Sequence, residues 1–215
     1  MPLKVNEIFY SIQGESSFAG RPCVFVRLTG CNLRCSYCDT RYAYDEGEYL
    51  DIPAVISKVQ SCQCLLVEIT GGEPLLQEET PVLIHTLIEQ GYTVLLETNG
   101  SLDISCVDSR CVKILDIKCP SSGQARFNDL LNLQRLSERD EVKFVIGDRG
   151  DYDYARQIVR QMHESSHGTL CIHFAPVFGK MKPDDLARWI LDDHLPVRLQ
   201  LQCHKIIWDH ERRGV

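Results

Sequence analysis

Short apolar runs rich in β-branched residues alternate with helix-like segments along most of the chain. The sequence predicts strands over residues 23–28, 65–69, 93–96, 112–117, 142–146, 170–174 and 197–201. It predicts helices that begin at Asp51 and that cover residues 79–90, 130–136, 152–162 and 184–191. This alternation favours a mostly parallel sheet whose strands are joined by helical crossovers.

Chain length limits how far such a sheet can close. The chain has 215 residues. A complete eight-unit βα barrel usually needs about 250 residues and eight strands, against roughly six or seven predicted here. The expected fold class is therefore α/β, a partial, open (βα) barrel of about six parallel strands, with residues 1–215 forming a single domain. In such folds functional groups gather at the carboxyl ends of the strands.

Composition and charge narrow the function classes. The 30 acidic and 23 basic residues give a net charge of −7, which disfavours direct nucleic-acid binding because that requires a basic face. The chain contains no apolar run long enough to cross a membrane and no apolar signal core near Met1, so we expect a cytoplasmic protein without a membrane partner. In a reducing compartment the 11 cysteines are expected to bind metal or to be buried rather than to form disulfides.

Three of these cysteines stand close together in the loop after the first predicted strand. Cys31, Cys35 and Cys38 lie within eight residues, so their thiolates can surround one metal centre without help from distant segments. A structural zinc site needs four ligands, whereas a [4Fe–4S] cluster held by three cysteines leaves one iron open to a small molecule. Buried cysteines, or a zinc site completed by a distant histidine, are the alternatives.

A second motif follows the strand predicted at residues 65–69. Thr70-Gly71-Gly72-Glu73-Pro74 has two glycines that allow close backbone approach and a carboxylate able to bind an ammonium group. Alone it could be a strand-to-helix turn. Together, in this order, the two motifs resemble those of the radical S-adenosylmethionine (SAM) superfamily. That resemblance implies a [4Fe–4S] cluster in the loop after the first strand, whose open iron binds SAM and whose electron cleaves SAM to a 5′-deoxyadenosyl radical.

The flanking segments resemble one family of that superfamily. Ser11-Ile12-Gln13-Gly14-Glu15, Arg27, Cys38-Asp39-Thr40 and the terminal Gln202-Cys203-His204-Lys205 with Trp208 are similar to the 7-carboxy-7-deazaguanine synthase family. The resemblance implies conversion of 6-carboxy-5,6,7,8-tetrahydropterin to 7-carboxy-7-deazaguanine with loss of ammonia, for queuosine or another deazapurine. It also implies SAM as a catalytic cofactor, Mg²⁺, a reductant such as flavodoxin or ferredoxin, and a homodimer.

Residue roles follow from the same resemblance, and no side chain is assigned as a catalytic acid or base. The expected pterin contacts are Ile12, Gln13, Gly14, Glu15, Arg27, Thr70 and His204. The expected SAM contacts are Tyr37, Cys38, Asp39, Gly72, Glu73, Cys119, Pro120 and Ser121. The expected metal ligands are Cys31, Cys35 and Cys38 for the cluster and Thr40 for Mg²⁺.

The chemistry of these side chains agrees with the roles but has ordinary alternatives. Arg27 can hold a substrate carboxylate in a bidentate fork, or it can form a simple ion pair. Glu15 can accept from the N–H edge of a pterin, or it can cap a turn. Thr40 offers the hard oxygen that Mg²⁺ prefers, or it can bond its own backbone. His204 can contact substrate, or it can end the last strand in solvent.

Two other functions remain to be distinguished. A glycyl-radical enzyme activase shares the cysteine spacing and a similar glycine motif, but it acts on a protein partner. A non-catalytic iron–sulfur electron-transfer protein would use a cluster without SAM. The segment from Ser11 to Glu15 and the terminal His204, Lys205 and Trp208 favour the synthase, and SAM binding would exclude an electron carrier. Cys106, Cys111 and Cys119 could in principle bind a second cluster, but their placement in apolar or loop segments favours burial.

Overall fold

A single mixed sheet organises the molecule. The computed structural model describes residues 1–164, 170–209 and 212–215, and within them nine strands form one sheet in the order β3-β1-β2-β4-β5-β6-β7-β8-β9. The strands are β1 (Leu3–Ile12), β2 (Pro22–Leu28), β3 (Glu48–Leu50), β4 (Leu66–Gly71), β5 (Thr93–Thr98), β6 (Val112–Ile117), β7 (Glu141–Ile146), β8 (Cys171–Pro176) and β9 (Arg198–Leu199). The helices are α1 (Ile52–Ser61), α2 (Thr80–Glu89), α3 (Arg149–Glu164), α4 (Pro183–Asp192) and α5 (His204–Ile207).

The sheet is parallel from β2 to β9 and does not close. Each neighbouring pair from β2–β4 to β8–β9 runs parallel, whereas β1 pairs antiparallel with both β2 and β3. The predicted open, partial βα barrel is thus confirmed, and the cysteine loop follows its first parallel strand, β2. The sequence analysis did not predict the antiparallel strands β1 and β3, which extend the sheet at one edge.

The helices cover one face of the sheet, and their starts follow from local chemistry. The Asp51 carboxylate accepts a hydrogen bond from the Ala54 amide at 2.9 Å, a helix N-cap next to the favourable Pro53. Valines and isoleucines of β2, β4 and β5 pack against α1 and α2 in one apolar core. A second core joins β6, β7 and β8 to α3 and α4. The other face of the sheet is left to line the interior of the open barrel.

Two local predictions were wrong in detail, and one alternative is excluded. Residues 130–136, predicted as a helix, form a 3₁₀ turn over Leu130–Arg135, because the Asn132 side chain is tied to the Gly100 and Leu102 carbonyls. The last strand is only Arg198–Leu199. His204 begins the short helix α5 and does not end a strand.

Among the described residues, no helix has both the length and the apolar character needed to cross a membrane.

A buried ion pair between Lys113 and Asp140 links the starts of β6 and β7. The Asp140 carboxylate is completely buried and accepts from the Lys113 amide at 2.8 Å and the Ser137 amide at 2.7 Å. The Lys113 ammonium lies 3.1 Å away. Buried carboxylates need such donors because desolvation of an unpaired charge is very unfavourable.

We therefore expect Asp140→Ala to lower the free energy of unfolding by about 3 to 5 kcal/mol, because Lys113 would keep an uncompensated buried charge. Lys58→Ala is the control, because its ion pair with Glu48 is exposed and should contribute about 1 kcal/mol or less. Urea unfolding under anaerobic conditions, followed by circular dichroism, measures both. Equal effects of the two substitutions would contradict this account.

Candidate active site

The carboxyl ends of the parallel strands surround one cavity of about 230 Å³. It lies where the fold predicts a site, and its wall brings together residues that are far apart in the sequence. Of the predicted site residues, those that line it are Ile12, Gln13, Gly14, Glu15, Arg27, Cys31, Cys35, Tyr37, Cys38, Asp39, Thr40, Thr70, Gly72 and His204. Glu73, Cys119, Pro120 and Ser121 are not part of this wall.

The three clustered cysteines face this cavity with free, partly buried thiols. Burial raises the pKa of Cys31 and Cys35, and the nearby Lys118 ammonium opposes this rise. Within the described part of the chain, no fourth cysteine lines the cavity. The donor set therefore fits an iron–sulfur cluster with three cysteine ligands and one iron that faces the cavity, and it lacks the fourth ligand of a closed structural zinc site.

The glycine motif packs directly against the backbone that leads into the cysteine loop. A Cβ on Gly72 would lie 2.2 Å from the Gly30 carbonyl oxygen, and one on Gly71 would lie 2.3 Å from the Leu28 carbonyl oxygen. The Glu73 amide donates to the Gly30 carbonyl at 2.7 Å. Any side chain at these glycines would push the two loops apart. The glycines thus hold the cysteine loop in place, in addition to lining the cavity.

Glu73, an expected SAM contact, is held by hydrogen-bond donors at the ends of β4 and β5. Its carboxylate is fully buried and accepts from the Asn99 amide at 2.7 Å, the Leu75 amide at 3.0 Å and the Thr98 hydroxyl at 2.9 Å. Burial raises its pKa, although these donors oppose the rise. In the described structure Glu73 therefore joins the ends of β4 and β5 behind the cavity wall.

The segment from Cys119 to Ser121 is not among the residues that line the cavity. The Ser121 carbonyl accepts from the Ser36 hydroxyl at 2.8 Å, and the Ser121 amide donates to Asp151 at 2.8 Å. The Cys119 side chain is completely buried. The hydrogen bond between Ser36 and Ser121 thus ties this segment to the cysteine loop.

The cysteine loop also carries three cavity residues with distinct environments. The Tyr37 hydroxyl is buried and has no hydrogen-bond partner among the described residues, and burial raises its pKa. Burial also acts to raise the pKa of Asp39, but Lys205 at 2.5 Å and the Thr40 hydroxyl at 2.9 Å lower it to about 2. Thr40 thus bonds the neighbouring carboxylate, and both oxygens border the cavity.

Arg27 both pairs with an acidic residue and lines the cavity. Its Nε lies 2.7 Å from a Glu7 oxygen, and its guanidinium lies between the rings of Phe9 and Tyr42 at 5.8 and 5.9 Å. These neighbours fix the guanidinium plane, which is the condition for bidentate recognition of a carboxylate.

The segment that contains Gln13, Gly14 and Glu15 crosses the interior of the barrel. Gln13 donates to the buried Glu68 of β4, and Glu15 lies 2.9 Å from the Lys143 ammonium of β7. A Cβ on Gly14 would lie 2.3 Å from His204 Nδ1, so only glycine lets the imidazole approach. Burial lowers the pKa of His204, which keeps the ring neutral beside these charges.

Comparisons with known proteins agree with this geometry. The sequence model of the Radical SAM superfamily matches residues 25–191. A 7-carboxy-7-deazaguanine synthase of Koribacter versatilis is 44% identical over 99% of this chain and 100% of its own length. A protein of the same name from Chlorobaculum tepidum is 47% identical over 100% of this chain and 98% of its own.

The chain belongs to the 7-carboxy-7-deazaguanine synthase family of the radical SAM superfamily.

The fold agrees with a solved structure as well. The crystal structure of QueE from Escherichia coli superposes with a TM-score of 0.77, covers 94% of each chain and shares 21% sequence identity. As a radical SAM enzyme of this family, the chain uses a [4Fe–4S] cluster and SAM. The three cysteines on the cavity wall are the residues in the described structure that fit such a cluster.

Several charged cavity residues of this family member were missed or left unassigned by the sequence analysis. The wall also contains Glu68, Glu97, Asp116, Lys118 and Lys143. They lie in or just after strands that are otherwise apolar, at positions that face the barrel interior. A charged residue inside a buried parallel strand is the signal that would have identified them, because such strands are usually continuous apolar runs.

Lys143 is the centre of this charge network. Its ammonium contacts Glu97 and Glu15 and lies 3.5 Å from Asp116. Burial disfavours the charged form, but these carboxylates outweigh it and raise the Lys143 pKa well above its usual range. Burial also acts to raise the pKa of Glu15, yet Lys143 and the other donors lower it to about 2. By contrast, burial and the carboxylates of Glu97 and Glu15 raise the pKa of Glu68 well above its usual range, which favours the protonated form of that carboxyl.

We therefore expect Lys143→Met to lower the free energy of unfolding by about 3 to 5 kcal/mol, because Glu15 and Glu97 would lose their buried counter-charge. Glu68→Gln should change it by about 1 kcal/mol or less, because the amide copies a neutral carboxyl and can still accept from Gln13. Anaerobic urea unfolding compares the two variants. Strong destabilisation by Glu68→Gln would show that Glu68 is ionised and would contradict this assignment.

Proposed function

We propose that this chain converts 6-carboxy-5,6,7,8-tetrahydropterin to 7-carboxy-7-deazaguanine with release of ammonia. The single observation that carries the proposal is the cavity in which the three-cysteine loop and the segment from Gln13 to Glu15 face each other. Similarity over the whole length of synthases supports the same assignment. It favours this reaction over an activase with a protein substrate and over a simple electron carrier.

The cysteines Cys31, Cys35 and Cys38 would hold the cluster, and Tyr37, Asp39 and Gly72 would line the SAM site next to it. Bound there, the cluster and SAM supply the one-electron chemistry that removes a hydrogen atom from carbon. Glu73, Cys119, Pro120 and Ser121 are also expected to contact SAM, and the hydrogen bonds of Glu73 and Ser121 hold the two loops that surround the cofactor site.

The opposite wall offers complementary groups for a pterin. An ionised Glu15 can accept from the N–H edge of the heterocycle, and Gln13 can both donate and accept. Arg27, fixed by Glu7, would take the substrate carboxylate. Ile12, Gly14, Thr70 and His204 complete the contact surface. Because Gln13, Glu15 and Arg27 are held by Glu68, Lys143 and Glu7 before substrate arrives, the site needs little reorganisation and can exclude water around the reacting carbon.

Thr40 and Asp39 would serve the predicted Mg²⁺. Both residues line the cavity, and their side-chain oxygens lie 2.9 Å apart. Mg²⁺ takes few protein ligands, with water and substrate oxygens filling the rest.

We also propose that the chain acts as a cytoplasmic homodimer and that residues 1–215 form one domain. A small electron carrier such as flavodoxin or ferredoxin would reduce the cluster.

The reaction itself can be tested directly. Anaerobically reconstituted protein is incubated with the pterin, SAM, Mg²⁺ and dithionite, and products are identified by mass spectrometry. We expect 7-carboxy-7-deazaguanine in large excess over the SAM consumed. Cys35→Ala should abolish turnover, whereas Cys106→Ser, which changes an exposed cysteine away from the cavity, should not. SAM cleavage without this product would exclude the proposed substrate and favour a protein partner.

A separate substitution tests the Mg²⁺ ligand. Thr40→Ala should raise the Mg²⁺ concentration for half-maximal rate by about tenfold, equivalent to roughly 1.4 kcal/mol of binding free energy. Thr40→Ser keeps the hydroxyl and should restore the wild-type Mg²⁺ dependence. If both variants titrate with Mg²⁺ as the wild type does, Thr40 is not a ligand.

A further inference from the structure

A second set of metal-binding side chains lies away from the catalytic cavity. Glu141, Cys171 and His173 each place one ligand atom within 4.8 Å of the other two, and none of them lines the cavity. Glu141 and Cys171 are the first residues of β7 and β8 and are paired in the sheet register. The set therefore lies at the amino ends of these strands, whereas the catalytic cavity lies at the carboxyl ends.

Two of the three ligand atoms lie against the third, which is a ring nitrogen of His173. His173 Nε2 lies 2.6 Å from Glu141 Oε2 and 3.3 Å from Cys171 Sγ. A single Nε2–H can donate fully to only one of these two groups. The other ring nitrogen, Nδ1, is buried and has no hydrogen-bond partner among the described residues. The orientation of the ring is thus determined by the groups that meet at Nε2.

We propose that Glu141, Cys171 and His173 bind one zinc ion at a site distinct from the iron–sulfur cluster. A carboxylate oxygen, an imidazole nitrogen and a thiolate sulfur are all ordinary zinc ligands. Tetrahedral zinc with bonds of roughly 2.0 to 2.3 Å separates its ligand atoms by about 3.3 to 3.7 Å. The present spacing from Nε2 to Sγ is close to this range, and the Glu141 oxygen needs to move outward by only several tenths of an ångström.

The surroundings fit such a site. Glu141 and His173 are almost completely buried, and the Ser17 amide donates to both Glu141 oxygens at 3.0 and 3.2 Å, as outer-shell groups do around ligating carboxylates. Arg198 Nη1 lies 3.6 Å from Cys171 Sγ and can donate to a zinc-bound thiolate. Cys171 is only partly buried, so the fourth coordination position can face solvent.

Zinc here would hold together three parts of the fold. The ion would bridge the starts of β7 and β8, and through Ser17 it would fix the end of the segment that carries Gln13 and Glu15. This role is structural, and the proposal does not depend on which substrate the catalytic cavity binds.

The test uses the full chain with its iron–sulfur cluster already reconstituted, so that Cys31, Cys35 and Cys38 are occupied. The protein is equilibrated anaerobically with Zn²⁺ alone and passed through a desalting column. Zinc and iron are then counted per chain, and zinc K-edge X-ray absorption determines the ligands. We expect about one zinc per chain, with one sulfur near 2.3 Å and otherwise lighter ligands.

Cys171→Ser and His173→Gln should each weaken zinc binding at least about 100-fold while iron content stays constant, and Cys106→Ser should bind zinc as the wild type does. If His173→Gln does not fold, the number of sulfur ligands per zinc still tests the proposal. So does the zinc content of Cys171→Ser, which changes a partly exposed residue. No retained zinc, zinc retained equally in Cys171→Ser, or three sulfurs per zinc would each overturn the proposal. None of these readouts requires product formation, so they are independent of the proposed reaction.

Discussion

The site depends on one buried ammonium group. Lys143 contacts Glu15 from the segment after β1, Glu97 of β5 and Asp116 of β6, and it is itself part of β7. An isolated ammonium could not remain charged in this interior, so these elements must come together around it. The same contact keeps Glu15 ionised and in place, which is the state needed to recognise N–H donors of a heterocycle.

The cofactor side of the cavity depends on close packing rather than on charge. Gly71 and Gly72 leave room for the Leu28 and Gly30 carbonyls, and this lets the loop after β4 lie against the loop that carries the cysteines. Glu73 then ties the same loop to the end of β5. Three neighbouring strands thereby fix the position of the three thiols relative to the charged wall.

Local patterns predicted the parallel strands and the cysteine loop, because each is encoded within a few residues, whereas the family resemblance predicted part of the cavity wall. Strand β1 was not predicted because its register with β2 shifts between Val5 and Glu7. This shift interrupts the alternation of apolar and polar residues by which a strand is recognised in a sequence. The place of Glu73 could not be predicted either, since it is determined by Thr98 and Asn99 on another strand. Glu68 and Lys143 could have been singled out as charges inside apolar strands, but the network that joins them depends on β4 and β7 facing the same interior.

The loop from Cys31 to Cys38 would hold a [4Fe–4S] cluster with one iron free to bind SAM. Electron paramagnetic resonance of the reduced, reconstituted protein, recorded with and without SAM, is the measurement to make first. We expect a [4Fe–4S]⁺ signal whose g-values shift when SAM is added, and loss of that signal in Cys38→Ala. A spectrum that SAM leaves unchanged would show that SAM does not bind the cluster and that the cavity is not a radical SAM site.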